Sequence, residues 1–324
     1  MSKLLKCSII MVMKKYFLSI SLLLYVLCLP AYAKTFKAND SLILQESEYP
    51  DFHRKFTKEY RSPYLAIYKK GKKTLVYLAA KHSPETISFV QYAFDVFNPQ
   101  IALVEREPNE PFIPCVEGED GYTAALSAKK QIPLVRADAS LEHQWDIAKQ
   151  AGFSYNDWQA LWLIRTAYYS GLEGYSSSAQ SSIRDYEKRH HNPSWGTLFT
   201  EDSLLNYFKE NYQEDFNNLD FVEFFDNLTD VYNKDPNTPF NRLHANMNQT
   251  RNSYMLQNIV QALNQYDIVF VESGSAHYHY LTKALKKMLG KPQYIKADQI
   301  PPQELWQDCT LDGLQEKVLI KDEK

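Results

Sequence analysis

The chain has 324 residues, 44% of them hydrophobic and 23% charged, with a formal net charge of −3. That length can bury a large core, as one domain with an insertion or as two smaller ones. The mild acidity excludes the concentrated positive face that nucleic-acid binding needs, and the spacing of the four cysteines suggests no thiolate metal site.

Residues 1–33 read as a secretory signal peptide. Lys14-Lys15 precede an apolar run from Tyr16 to Leu29, and Pro30-Ala-Tyr-Ala33 closes it with an Ala-x-Ala site. Met11 or Met13 would serve equally well as the start, and an uncleaved anchor is the alternative, although the run is short for a bilayer span. Cleavage after Ala33 leaves 291 residues, and loss of Lys3, Lys6, Lys14 and Lys15 takes the net charge to −7. Cys7 and Cys28 leave as well, so Cys115 and Cys309 are expected to pair or hide in an oxidising compartment. No later stretch is apolar and long enough to span a membrane. A periplasmic or secreted protein is expected.

Residues 34–140 read as the first half of an α/β domain. Ser41-Leu-Ile-Leu44 offers an edge strand, and Pro63–Tyr68 with Thr74–Leu78 makes a hairpin across Gly71-Lys-Lys. From Pro84-Glu-Thr, residues Ile87, Val90, Phe94 and Phe97 recur at helical spacing until Asn98-Pro99. Ile101–Val104 is a short unbroken apolar run, as expected of a buried parallel strand, and completes a βαβ unit. Glu105-Arg106-Glu107-Pro108 opens a Pro- and Gly-containing loop. A short helix from Tyr122 to Lys130 and a strand, Ile132–Val135, follow and end in Arg136-Ala-Asp138. Three successive strands therefore terminate in His82, Glu105 and Asp138.

Residues 141–240 read as a helical insertion over the sheet's carboxyl edge. Tryptophans, tyrosines and phenylalanines recur there at helical intervals and pack a small core. Gly171 to Ser182 is a flexible break, Phe221–Phe225 with Leu228 suggests a further helix, and Asp235-Pro-Asn-Thr-Pro239 is a linker. Residues 241–300 form the second half. A helix opens near Arg251, the strand Asp267–Val271 runs into Glu272-Ser-Gly-Ser-Ala-His277, and a second helix follows. Tyr294-Ile-Lys-Ala is a last edge strand, and residues 301–324 read as a polar tail. The expected fold is thus a mainly parallel sheet with flanking helices. Two strand–histidine–helix units, at His82 and His277, place ligands at the strands' carboxyl ends.

Four motifs in this order, Ala79-Ala-Lys-His82, Leu103-Val-Glu105, Arg251 with Met255, and Gly274-Ser-Ala-His277, resemble those of the EreA/ChaN/TraB/TIKI superfamily. The likeness covers roughly residues 74–138 and 251–290 and departs from the pattern at Ala79, where the family has glycine. It implies two pseudo-symmetric halves sharing a cleft. Its members include metal-dependent proteases, lactone-opening esterases and haem binders, so the fold underdetermines the chemistry.

Two imidazoles and a carboxylate make a catalytic first set of ligands for a divalent ion, which assigns His82, Glu105 and His277 as metal ligands. Glu107, Asp138 or Glu272 would be the base, and Arg251 would hold a substrate carbonyl or an oxyanion. A metal-free version has His82 as general base oriented by Glu105. Each residue also has a plain role available. His82 can cap or pack, Glu105 can pair with Arg106 or Arg136, Arg251 can be a helix-start ion pair, and Asp138 a loop residue. The expected function is a hydrolase of amide or ester bonds, acting on a peptide or small ester. The alternative is a haem or iron binder using Tyr278 and Tyr280. His279 is expected to be solvated, His190-His191 to lie in a surface loop, and Asn227 and Asn248 fit the glycosylation pattern.

Overall fold

The computed structural model describes residues 35–83, 85–105, 118–172, 184, 186–187, 191–212 and 239–302. The signal segment, Glu107, Cys115, His190, the 221–228 stretch, Asn227 and Cys309 lie outside the described residues.

At its centre is a six-stranded mixed sheet with strand order β4-β3-β5-β2-β1-β6. The strands are β1 (Tyr64–Lys70), β2 (Lys73–Ala80), β3 (Ile101–Val104), β4 (Leu134–Arg136), β5 (Ile268–Gly274) and β6 (Gln293–Ile295). Strands β4, β3, β5 and β2 run parallel, while β1 is antiparallel to both β2 and β6. The expected hairpin is β1–β2. Its turn places Gly71 at φ +61°, a conformation that costs a glycine little.

Eight α-helices are found among the described residues: α1 (Tyr49–Phe56), α2 (Glu85–Phe97), α3 (Gly118–Lys129), α4 (Leu141–Gln150), α5 (Tyr155–Leu172), α6 (Glu201–Tyr212), α7 (Pro239–Gln265) and α8 (Ser275–Leu289). Helix α2 stops where Asn98 takes φ +46°. None of the helices is long and apolar enough to cross a membrane.

Alternation along the strands sorts the layers. Leu65, Ile67, Val76, Leu78, Ala102 and Phe270 face α2 and α3, meeting Phe89, Val90, Phe94, Tyr122 and Leu126. The opposite face carries hydroxyl-bearing rings: Tyr77 Oη donates to Met255 Sδ of α7 at 3.4 Å, and Tyr68 Oη lies 2.9 Å from Tyr278 Oη of α8. Each fully buried aliphatic or phenylalanine side chain contributes roughly 1.5–3 kcal/mol. A one-residue slip of β2 would exchange Val76 and Leu78 for Tyr77, so the register is firmly set. A separate cluster in the helical region joins Trp145, Trp158, Leu161 and Tyr186 to Leu243 and Met247 of α7, which is the small aromatic core expected there.

Several boundaries differ from expectation. Ser41–Leu44 is no strand: residues Asp40–Leu42 form a 3-10 turn, because the Asn39 side chain accepts from Ser41 N–H and competes with extended backbone. The strand expected at Ile132–Val135 is Leu134–Arg136, α3 begins at Gly118 rather than Tyr122, and α5 continues through Gly171 to Leu172. Arg251 does not open a helix. It sits in the middle of the 27-residue α7, whose first turns belong to the helical core and whose later turns lie on the sheet.

Candidate active site

The sheet's register brings the expected residues together. Strands β2 and β5 are neighbours with Ala80 opposite Gly274, and β3 flanks β5 with Val104 opposite Glu272. Strand β4 then aligns Arg136 with Val104. Four parallel strands thus end on one rim, and the residues that follow them, His82, Glu105, Asp138 and Gly274–His277, are gathered there. Helix α7 crosses the rim and adds Arg251 and Asn252.

Glu105 is the hub. Its Oε2 accepts from the Gly274 N–H at 2.7 Å, and its Oε1 accepts from Arg251 Nη2 at 2.7 Å and lies 3.3 Å from His277 Nε2. Burial alone would raise this carboxyl's pKa, but His277, Arg251 and His82 outweigh it and hold the group well below its ordinary value. Arg251 also donates from Nε to Asp138 Oδ2 at 2.6 Å, and Asp138 Oδ1 accepts the Ala139 N–H at 2.7 Å. One buried guanidinium therefore bridges two carboxylates.

The His277 ring is fixed by Asn252. The Asn252 amide donates to the Asn248 carbonyl at 2.7 Å, so its Oδ1 must accept from His277 Nδ1, 2.8 Å away. That leaves Nε2 directed at Glu105, and two lone pairs facing each other call for a proton or a cation between them.

His82 sits just beyond β2 at φ +54°, a left-handed conformation uncommon outside glycine. Its Nδ1 lies 2.6 Å from Oε1 of Glu119, a buried residue in the first turn of α3. This bond, against the opposing effect of burial, pushes the imidazole's pKa up to about 9. The His82 side chain is 55% exposed, which makes it the part of the cluster a ligand reaches first.

Behind the rim, Glu272 points to the α3 side and is fully buried. Its Oε2 accepts from the Thr123 hydroxyl, and its carboxyl meets that of Asp120. Burial, then repulsion from Asp120 and Glu119, raises the Glu272 pKa well above its ordinary value; burial pushes Asp120 up to about 6.

The structure therefore brings His82, Glu105, Arg251 and His277 to one place and adds Asp138. Glu105, Asp138 and His277 present ligand atoms that all lie within 4.8 Å of one another, a group able to hold a metal ion. Asp138 stands in this trio where His82 was expected. The hydroxyls of Tyr278 and Tyr280 are engaged elsewhere, by Tyr68 and Tyr294 and by Glu46. His279 is not solvated: it is 2% exposed, packed among α1 and β1 side chains, because α8 is covered on both sides and leaves no wet face at that turn. Glu119 and Asn252 were not anticipated. Asn252 had only its place next to Arg251 as a signal, and Glu119 had only its place in an acidic helix start.

No protein-family model, no curated protein and no solved structure matches this chain.

Proposed function

We propose that the protein is a hydrolase of amide or ester bonds, with a peptide as the first substrate class, whose site takes a divalent cation on Glu105, Asp138 and His277. The observation that carries this reading is the fixed His277 ring, with Nδ1 committed to Asn252 and Nε2 aimed at the half-buried Glu105 carboxylate, with buried Asp138 in the same group. Ligating histidines are held in this way, by a hydrogen bond on the other ring nitrogen. A bound ion would supply Lewis-acid polarisation of the scissile carbonyl. The chain's own residues do the rest. Arg251 pairs with Glu105 and Asp138 and helps to keep Glu105 ionised, and the Gly274 N–H holds the Glu105 carboxylate in place. Glu119 accepts a hydrogen bond from His82 Nδ1, which leaves Nε2 to exchange a proton with the reacting group.

The second reading, a metal-free esterase-like site, is favoured by one observation: Arg251 already pairs with both Glu105 and Asp138 without an ion. There His82, oriented by Glu119 in place of the expected Glu105, acts as the base once it has lost its proton, which the value of about 9 puts at alkaline pH. The superfamily resemblance, its pseudo-symmetric halves, the insertion over the rim and an exported location belong to the same proposal. The haem alternative has less to support it, since both tyrosine hydroxyls have partners away from the rim.

Elemental analysis of chelator-free protein, together with peptide and ester turnover by wild type and His277→Ala, tests the proposal. Stoichiometric metal and turnover that are both lost in His277→Ala support it. Turnover without metal selects the second reading, and unchanged turnover in a folded His277→Ala protein rejects both.

A further inference from the structure

Away from the Glu105 cluster, α1 lies against α8 through a second pair of imidazoles. His53 Nδ1 and His279 Nδ1 face one another at 3.2 Å. Tyr49 Oη is 3.4 Å from the same His53 nitrogen, and the other nitrogen of His279 lies 3.3 Å from Tyr64 Oη. Among the described residues, no hydrogen bond or ion pair links either ring to a carboxylate. Aromatic packing sets their orientation: Tyr49 stacks on His53 with ring centres 5.4 Å apart, and Phe56 packs on His279 at 4.9 Å.

Two donor atoms, each about 2.0–2.1 Å from one tetrahedral ion, stand about 3.3–3.4 Å apart. Both spacings around His53 Nδ1, 3.2 and 3.4 Å, are close to that edge length. Ligating histidines commonly have the other ring nitrogen tied to a partner, and Tyr64 serves His279 in that way. Imidazole and phenol donors select zinc or copper over calcium or magnesium. We propose that His53 and His279, with the Tyr49 phenol beside them, form a binding site for a transition-metal ion of the Zn2+ or Cu2+ type, separate from Glu105, Asp138 and His277. The ion would pin α1 to α8. It needs no contribution from the rim, so the site stands whether or not the hydrolase reading does.

Equilibrium dialysis of the full chain against Zn2+ reads the site directly. His53→Ala is expected to bind one equivalent fewer than wild type, while Glu105→Gln keeps that equivalent. With Cu2+ on the wild-type protein, the electron paramagnetic resonance spectrum is expected to show coupling to two imidazole nitrogens that persists in His277→Ala, whose rim keeps only the His82 imidazole. Unchanged Zn2+ stoichiometry in His53→Ala, or a Cu2+ spectrum without two-nitrogen coupling, overturns the proposal and leaves the pair as an ordinary N–H···N bond. The wild-type spectrum uses unaltered protein, so a poorly folded variant does not spare the proposal. Failure of the rim as a metal site reads differently, as equal Zn2+ uptake by Glu105→Gln and wild type.

Discussion

Gly274 and His82 approach so closely that a Cβ at position 274 would stand 2.9 Å from His82 Nε2 and 3.5 Å from Glu105 Oε2. The backbone of Gly274 is in an ordinary region (φ −51°), so the glycine is required for space rather than for torsional freedom. His82 cannot swing aside without leaving Glu119. Gly274→Ala is therefore expected to cut kcat/KM by about 10²-fold, the order expected when reacting groups are misplaced by about an ångström. Its melting temperature should stay near that of wild type. Turnover assays paired with thermal melts check this; undiminished turnover contradicts it.

Arg251 is 8% exposed and is shared by two carboxylates, so removing it strands both. Arg251→Met is expected to lose about 3–5 kcal/mol in urea unfolding, the usual cost of breaking a buried ion pair from one side. Arg251→Lys keeps the charge but not the two-sided geometry, and falls between.

Asn252 sets which nitrogen of His277 faces Glu105. Asn252→Ala removes that control while sparing every rim ligand, and is expected to weaken divalent-ion affinity by about 10–100-fold. Calorimetric titration of both proteins with Zn2+ or Mn2+ reads the difference.

Two buried groups give opposite acid–base signatures. Burial, then repulsion from His53, lowers His279 from 6.5 to about 4, so its contribution to stability is full above pH 6.5 and is lost as pH falls towards 4, on the order of 3 kcal/mol. The Asp120–Glu272 pair behaves in reverse. With both folded-state values raised, it favours the fold at low pH, and that contribution is lost as pH rises through about 6. Glu272→Gln, neutral at every pH, is thus expected to gain about 1–3 kcal/mol over wild type above pH 7 and nothing near pH 4. Melting curves from pH 4 to 8 check both signs.

The order of the strand-end residues was readable in the sequence because short apolar runs mark parallel strands and the next residue marks the rim. Their meeting was not, because it depends on β5 pairing with β2 and β3 at once. The resemblance puts Arg251 at a helix start, and Pro239 with its neighbours looks like a linker. In the fold that proline opens α7, where a missing N–H costs nothing. His279 was expected in solvent because it lies two positions from His277 on a helix, and the sequence gives no hint that α1 and β1 close over that side. Glu119 lies in the first turn of α3, and nothing in the composition of that turn ties it to His82.

Strand β5 lies between β2 and β3, although those two are joined directly through α2 and are made long before it. Until Ile268–Gly274 leaves the ribosome, the nascent chain holds two inner strand edges with a vacant lane between them, lined by Val76, Leu78 and Ala102. The chain that precedes β5, residues 1–267, is therefore no independent folding unit. Fragments that end before α7 should aggregate through those open edges, and the rim cluster cannot assemble until β5 and His277 have been made.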